Sequence, residues 1–212
     1  IDMNHGGSVA IINTIFDDNT MSSSLIDIVN AKRCSISECT FSYNNAKHSA
    51  GALIVNTEEV RICGNTFEKN NAIIHGTIAL YNCSDVFINQ NLFMKNTGFF
   101  GCSSLIIQDS NVRLNNTLFL KNNVDFFCDN LPEGYFNINE TNFIVDHQAI
   151  PGVTTPRNIA AAISAYGKSS LVLDNVAFSD SENEAERFNS TYINISAIDG
   201  YAEDTVTIKS TR

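Results

Sequence analysis

The chain has 212 residues, of which 43% are hydrophobic, so it is long enough to bury a sizeable core. Its formal net charge of −10 argues against nucleic-acid binding, which needs a basic face. The sequence contains no apolar run that approaches the roughly 20 residues of a membrane-spanning helix.

One pattern, an apolar-x-apolar pair followed by Phe and then Asn, recurs along the chain. In chain order the units are VAIINTIFDDN (9–19), CSISECTFSYN (34–44), VRICGNTFEKN (60–70), VFINQNLFMKN (86–96), VRLNNTLFLKN (112–122), FNINETNFIVD (136–146) and LVLDNVAFSDS (171–181), and VTI at 206–208 begins an eighth. Their anchors Phe16, Phe41, Phe67, Phe93, Phe119, Phe143 and Phe178 are spaced by 25, 26, 26, 26, 24 and 35 residues. A period of about 26 predicts a solenoid of about seven coils.

Each unit has the pattern of short β-strands. In the third unit Val60 and Ile62 are two residues apart, which puts both side chains on one face of a strand. A second apolar run, such as LIDI, GALIV, TIAL or SSLII, follows about a dozen residues after the Phe. We therefore predict an all-β, right-handed parallel β-helix. A leucine-rich repeat is the main alternative, but the column three residues before the first apolar position lacks the apolar residues that this fold needs.

The third residue after the Phe is Asn in the first five units. Asn tolerates left-handed backbone and hydrogen-bonds its own turn, so we expect it at a corner. In stacked coils equivalent side chains lie about 4.8 Å apart, close enough for an amide ladder. The predicted ladder consists of Asn19, Asn44, Asn70, Asn96 and Asn122.

The tetrapeptides FDDN, FSYN, FEKN, FMKN and FLKN resemble the FxxN motifs of polymorphic outer-membrane-protein repeats and related protist surface proteins. Those proteins belong to the pectin-lyase-like right-handed β-helices. Their companion GGA motif is present in degenerate form as AGAL (50–53), HGTI (75–78) and AAAI (160–163). The resemblance covers residues 6–125 well and the remainder loosely, and it implies a structural or adhesive role at a cell surface.

The spacing also predicts the domain organisation. We expect one β-helix domain over 1–212, with regular coils in 6–125 and longer coils in 126–212. Loops at 147–158 and 179–192 are the predicted recognition surfaces for protein or carbohydrate partners. Because open terminal coils need caps, we also expect flanking coils from the same, longer polypeptide.

Two columns of charged residues are candidate sites. Arg33, Glu59 and Asp85 share an offset in consecutive coils, which fits either a site or an exposed salt-bridged corner. A second column contains Lys69, Lys95 and Lys121, which fit either an anion-binding row or solubilising residues at a turn.

Other chemical signals in the sequence are weak. His75 has no nearby Ser, Cys or Asp in a pattern that suggests a nucleophile. The six Cys and four His form no CxxC pair or zinc-ligand spacing. We therefore predict no catalytic residue, no metal and no cofactor.

Cysteines and glycosylation sequons are candidate modification sites. Cys102 and Cys128 share an offset nine residues after their Phe anchors, so adjacent coils place their Cα atoms within disulfide range. Two buried thiols are the alternative. Five Asn-x-Ser/Thr sequons occur, a number that chance explains in so Asn-rich a chain. They begin at Asn82, Asn115, Asn139, Asn189 and Asn194.

Three functional hypotheses follow. The first is a non-catalytic structural or adhesive segment of a large cell-surface or extracellular protein. The second is an intracellular scaffold that uses the rod as a spacer, and the third is a fragment of a polysaccharide lyase or hydrolase. Function must be argued from sites, since one fold carries many functions.

Overall fold

In the computed structural model, the chain forms a right-handed parallel β-helix. Four strands and four corners make one coil, and each strand pairs in parallel with its equivalent in the coils before and after. The described residues contain β-strands, here numbered β1–β25 in chain order, and no helix. The structure describes residues 1–4, 6–98, 102–124, 160–166, 168–179, 191–196 and 205–208.

Two sheets have seven strands each. Sheet A consists of β1 (Asp2–Asn4), β5 (Ile26–Val29), β9 (Ala52–Val55), β13 (Ile78–Tyr81), β17 (Leu105–Gln108), β21 (Ala160–Tyr166) and β24 (Thr191–Ser196). Sheet B consists of β2 (Ser8–Ile12), β6 (Arg33–Ser37), β10 (Glu59–Cys63), β14 (Asp85–Asn89), β18 (Asn111–Asn115), β22 (Ser170–Asp174) and β25 (Thr205–Ile208). The predicted apolar pairs lie on sheet B, and the predicted second runs form sheet A.

Two further sheets have shorter strands. Sheet C consists of β3 (Ile15–Asp17), β7 (Thr40–Ser42), β11 (Thr66–Glu68), β15 (Leu92–Met94), β19 (Leu118–Leu120) and β23 (Ala177–Ser179). Sheet D consists of β4 (Thr20–Met21), β8 (Asn45–Ala46), β12 (Asn71–Ala72), β16 (Thr97–Gly98) and β20 (Asn123–Val124). Each of the first five coils therefore has four strands instead of the two apolar strands that the sequence predicted, and the Phe lies on a short strand of its own.

The core is a set of stacked columns inside the coils. Val60, Ile62 and Phe67 are all fully buried, as the alternating pattern predicts. Neighbouring Phe rings from Phe16 to Phe178 stack with centroids 4.6 to 5.1 Å apart. Burying one such side chain contributes about 1.5–3 kcal/mol, so the Phe column is a main source of stability.

The coil count differs somewhat from the prediction. Phe119 pairs with Phe178 and stacks on it, so no coil lies between them. The unit predicted around Phe143 is therefore wrong as a coil, and its residues lie outside the described ones. Five coils have all four strands, and a sixth and seventh are described by three and two strands.

In the second to fifth coils, three corners share one design. A left-handed residue, such as Lys69 with φ of 53°, is followed by a small or polar residue that points inward, such as Asn70. The ladder Asn residues are therefore not the left-handed residues of their corners, contrary to expectation. The left-handed residues of the corner between sheets C and D are Asp18, Tyr43, Lys69, Lys95 and Lys121.

Sheet A is largely buried on both faces in its middle strands β13 and β17, whereas β1 is exposed. Its inward side chains belong to the main core, and a second apolar cluster lies on its outer face. Tyr81 and Ile106 are only 4% and 5% exposed there, and Cys102 packs with them. In the strands of sheets B and C whose side chains the structure describes, the outward side chains are partly or fully exposed instead.

Candidate functional site

The Asn column forms a buried amide ladder. The side-chain Nδ2 of Asn44 donates to Oδ1 of Asn70 at 3.0 Å, and the backbone N–H of Asn44 donates to the same oxygen at 3.1 Å. The Nδ2 of Asn70 also donates to the carbonyl of Phe41. Equivalent amide contacts of 2.8 to 3.0 Å join the whole column of Asn19, Asn44, Asn70, Asn96 and Asn122.

A second buried ladder lies at the corner between sheets B and C. The Nδ2 of Asn65 donates to Oδ1 of Asn91 at 3.0 Å, and Oδ1 of Asn65 accepts the backbone N–H of Cys39. Oγ1 of Thr117 continues the column by accepting the Asn91 N–H. The inward amides of these two columns are thus hydrogen-bonded from coil to coil, as buried polar groups usually are.

A third ladder is exposed at the corner between sheets A and B. Side-chain amides of Asn30, Asn56 and Asn82 each donate to the Asn of the preceding coil, with Asn82 reaching Asn56 at 2.8 Å. All three have left-handed backbone, which Asn adopts more easily than most residues. Sequence reasoning missed this ladder, although its Asn residues recur every 26 positions.

Two sequons differ in accessibility. Asn82 is exposed, and Ser84 in its sequon is exposed too. Asn115 is partly exposed on β18, but Thr117 of its sequon is 2% exposed and donates to the Asn115 carbonyl. Asn139 and Asn189 lie outside the described residues, and Asn194 lies on β24, where only the backbone is described.

The described cysteines are free thiols. Cys102 is fully buried, and burial raises the pKa of its thiol to about 12. Cys128 lies outside the described residues, so the predicted bond between these two stays a prediction. Burial also raises the pKa of Cys34 to about 12 and that of Cys83 to about 11, which disfavours the nucleophilic thiolate. Free thiols are present at Cys34, Cys39, Cys63, Cys83 and Cys102.

The predicted Arg–Glu–Asp column is part of a longer charge row on the outer face of sheet B. Arg33 binds Glu59 at 3.0 Å, while Arg61 binds Glu59 at 3.2 Å and Asp85 at 2.7 Å. Arg113 contributes a further contact to Asp85 at 3.0 Å. Hydrogen bonds from Arg61, and also from Arg113, lower the pKa of Asp85.

Sequence reasoning missed Arg61 and Arg113 because they lie two residues beyond the offset that defined the column. Guanidinium groups bind both carboxylates of the row, and those on Asp85 favour its ionised form. The row is exposed, so its net contribution to stability is small.

The three Lys residues of the second column differ in their surroundings. Lys69 binds Glu68 at 3.5 Å and donates to the hydroxyl of Tyr43, a hydrogen bond that raises the pKa of Lys69. Lys95 and Lys121 are exposed and form no salt bridge in the part of the chain that the structure describes.

His75 is buried beside the second apolar cluster. Its side chain is 1% exposed, and its ring lies 5.2 Å from that of His48 and 5.6 Å from that of Tyr81. Burial, and then the charge of His48, lower the pKa of His75 to about 3. The ring is therefore neutral at physiological pH. Its burial was not predicted, because His75 lies at the corner between β12 and β13, and corners are normally exposed.

The predicted recognition loops lie mostly outside the described residues. This holds for all of 147–158 and for 180–190. The predicted bounds of the second loop need a correction, because β23 ends at Ser179 and β24 begins at Thr191. Backbone pairing with neighbouring coils places these flanking residues in strands.

The described residues contain no group of three His, Cys, Asp or Glu side chains that could hold a metal ion. They also contain no helix long and apolar enough to cross a membrane. Neither a protein-family model, nor a curated protein sequence, nor a solved structure matches the chain. Among the described residues, the amide ladders join one coil to the next, and the charge row forms a charged outer face on sheet B.

Proposed function

We propose that the chain is a non-catalytic structural or adhesive β-helix segment of a large cell-surface or extracellular protein. The supporting observation is the buried Asn ladder, which runs through five coils from Asn19 to Asn122. Its amides bond coil to coil and so stabilise a rod of stacked coils. Such a rod can hold the parts of a larger protein at a fixed distance and present its outer surface to partners.

The FxxN motifs support a kinship with pectin-lyase-like polymorphic outer-membrane-protein repeats, and with it a surface location.

Mass spectrometry of the protein from its native source tests the location. We expect a glycan on Asn82, whose side chain is exposed. Treatment with a peptide-N-glycosidase removes an N-glycan and converts the glycosylated Asn to Asp. The diagnostic observation is therefore the mass of the peptide that carries Asp in place of Asn82. An unmodified Asn82, with every cysteine reduced, would contradict a surface or extracellular location.

An intracellular scaffold that uses the rod as a spacer is the second candidate, because the five described cysteines are free thiols. The same experiment separates the two candidates. The polysaccharide-enzyme alternative has less support, since Glu59 and Asp85 are both bound by Arg61 instead of being free to act as an acid and base pair.

A further inference from the structure

The outer face of sheet C carries an apolar patch on its fourth and fifth coils, which we call the sheet C patch. Leu92 pairs with Leu118, and Met94 pairs with Leu120, so the four side chains form a two-by-two group. All four are partly exposed, while Phe93 and Phe119 between them point into the core. The patch spans about 5 Å across the strands and about 7 Å along them.

The solenoid itself does not require apolar residues at these positions. In the second coil the equivalent residues are Thr40 and Ser42, and in the third they are Thr66 and Glu68. Those coils have the same pairing and the same buried Phe. Neither the strand pairing nor the buried Phe therefore requires the apolar residues of the patch.

The charges next to the patch change in the same two coils. In the third coil Lys69 is bound to Glu68 and contacts the Tyr43 ring. Lys95 and Lys121, in the fourth and fifth coils, are exposed and unpaired among the described residues. An apolar patch thus lies beside two free cations in a protein whose net charge is −10.

We propose that the sheet C patch binds an acidic, apolar-rich peptide segment of a partner protein. Apolar side chains of the segment would pack on Leu92, Met94, Leu118 and Leu120, and its carboxylates would bind Lys95 and Lys121. Charge complementarity favours this occupant, because its carboxylates would lie beside two exposed Lys side chains that form no salt bridge among the described residues. The proposal does not depend on the compartment in which the protein acts.

The test uses the full chain with labelled Leu and Met methyl groups, followed by NMR. The probes are two short synthetic peptides, one of alternating Leu and Glu and one of alternating Leu and Lys. We expect saturable shifts at the four patch residues with the acidic peptide only, with a Kd on the order of 0.1 mM for so small a contact.

Variants locate the binding. Replacing both Leu92 and Leu118 with Thr, the residue at positions 40 and 66, keeps the fold and weakens binding by about tenfold or more. Lys95→Glu with Lys121→Glu reverses the preference between the peptides. Thr40→Ser, in the same column outside the patch, is the matched control and leaves binding unchanged.

Equal shifts with both peptides, shifts elsewhere, or no shifts would overturn the proposal. Concentration-dependent dimerisation that the Leu92→Thr, Leu118→Thr variant abolishes would also overturn it, because the occupant would then be a second copy.

Discussion

Phe119 and Phe178 stack face to face, with ring centroids 5.1 Å apart and planes inclined by 10°, although 59 residues separate them. Their strands β19 and β23 pair directly, as do the flanking strands β18 and β22. The core therefore continues from Phe119 to Phe178, although this step of 59 residues is more than twice as long as the usual coil. In the sequence, the additional residues lie between β20 of sheet D and β21 of sheet A.

The Asn ladder is expected to dominate the polar contribution to stability. Asn70→Ala removes the acceptor for two Asn44 N–H groups and leaves them buried, so we expect a loss of about 2–5 kcal/mol in unfolding free energy. Asn45→Ala is the matched control, because Asn45 is exposed at the same corner, and should change stability by less than about 0.5 kcal/mol. Urea denaturation measures both. Similar losses for the two variants would argue against the ladder.

Left-handed corners are a second determinant of stability. Gln90, with φ of 56°, occupies the same corner position as Gly64, whose φ is 70°. Left-handed backbone is costly for residues with a Cβ, so Gln90→Gly should stabilise the protein by about 1 kcal/mol. Gly64→Ala should destabilise it by a similar amount, because Ala adopts left-handed backbone less easily than Gly. The added Cβ would meet nothing closer than 3.8 Å, so no steric clash contributes. Thermal denaturation of the pair gives opposite shifts in Tm, and shifts of the same sign would exclude this explanation.

The burial of His75 predicts sensitivity to acid. Its pKa is about 3 in the folded protein, against 6.5 for an ordinary His, so the unfolded chain binds more protons between these pH values. This contribution to stability is full above about pH 6.5 and declines as the pH falls toward 3. Denaturation midpoints at several pH values measure the decline.

His75→Leu isolates this effect from the titration of carboxylates. We expect the variant to lose less stability than the wild type between pH 6.5 and 4, by a few kcal/mol at most, because it cannot bind the extra proton. Parallel pH curves for the two proteins would mean that His75 is protonated, or accessible to water, in the folded state.

The regular half of the fold could be predicted because burial repeats at a fixed stride. Val60, Ile62 and Phe67 face the core as their spacing indicates. The step to Phe178 could not be predicted, because FNINETNF around Phe143 satisfies the same local pattern, and only strand pairing shows which Phe follows Phe119.

The candidate site was predictable only where its residues share one offset. The Arg33, Glu59 and Asp85 column was found, whereas Arg61 and Arg113 come from a neighbouring column whose long side chains reach across. The position of the left-handed residue was also missed. Coil-to-coil hydrogen bonds keep Asn inward, so Lys69 and its equivalents adopt the less favourable backbone.

The continuity of the solenoid across the 59-residue step can be measured directly by thiol cross-linking. Arg113 and Val172 are register partners on the outer face of sheet B. In a background in which Cys63 is replaced by Ser, we would introduce cysteines at both positions and treat the full chain with a short bifunctional thiol reagent. Adjacent strands place the Cα atoms about 5 Å apart, so we expect rapid intramolecular cross-linking. Failure to cross-link in the folded protein would mean that another coil separates β18 from β22, and it would contradict the structure proposed for the rod.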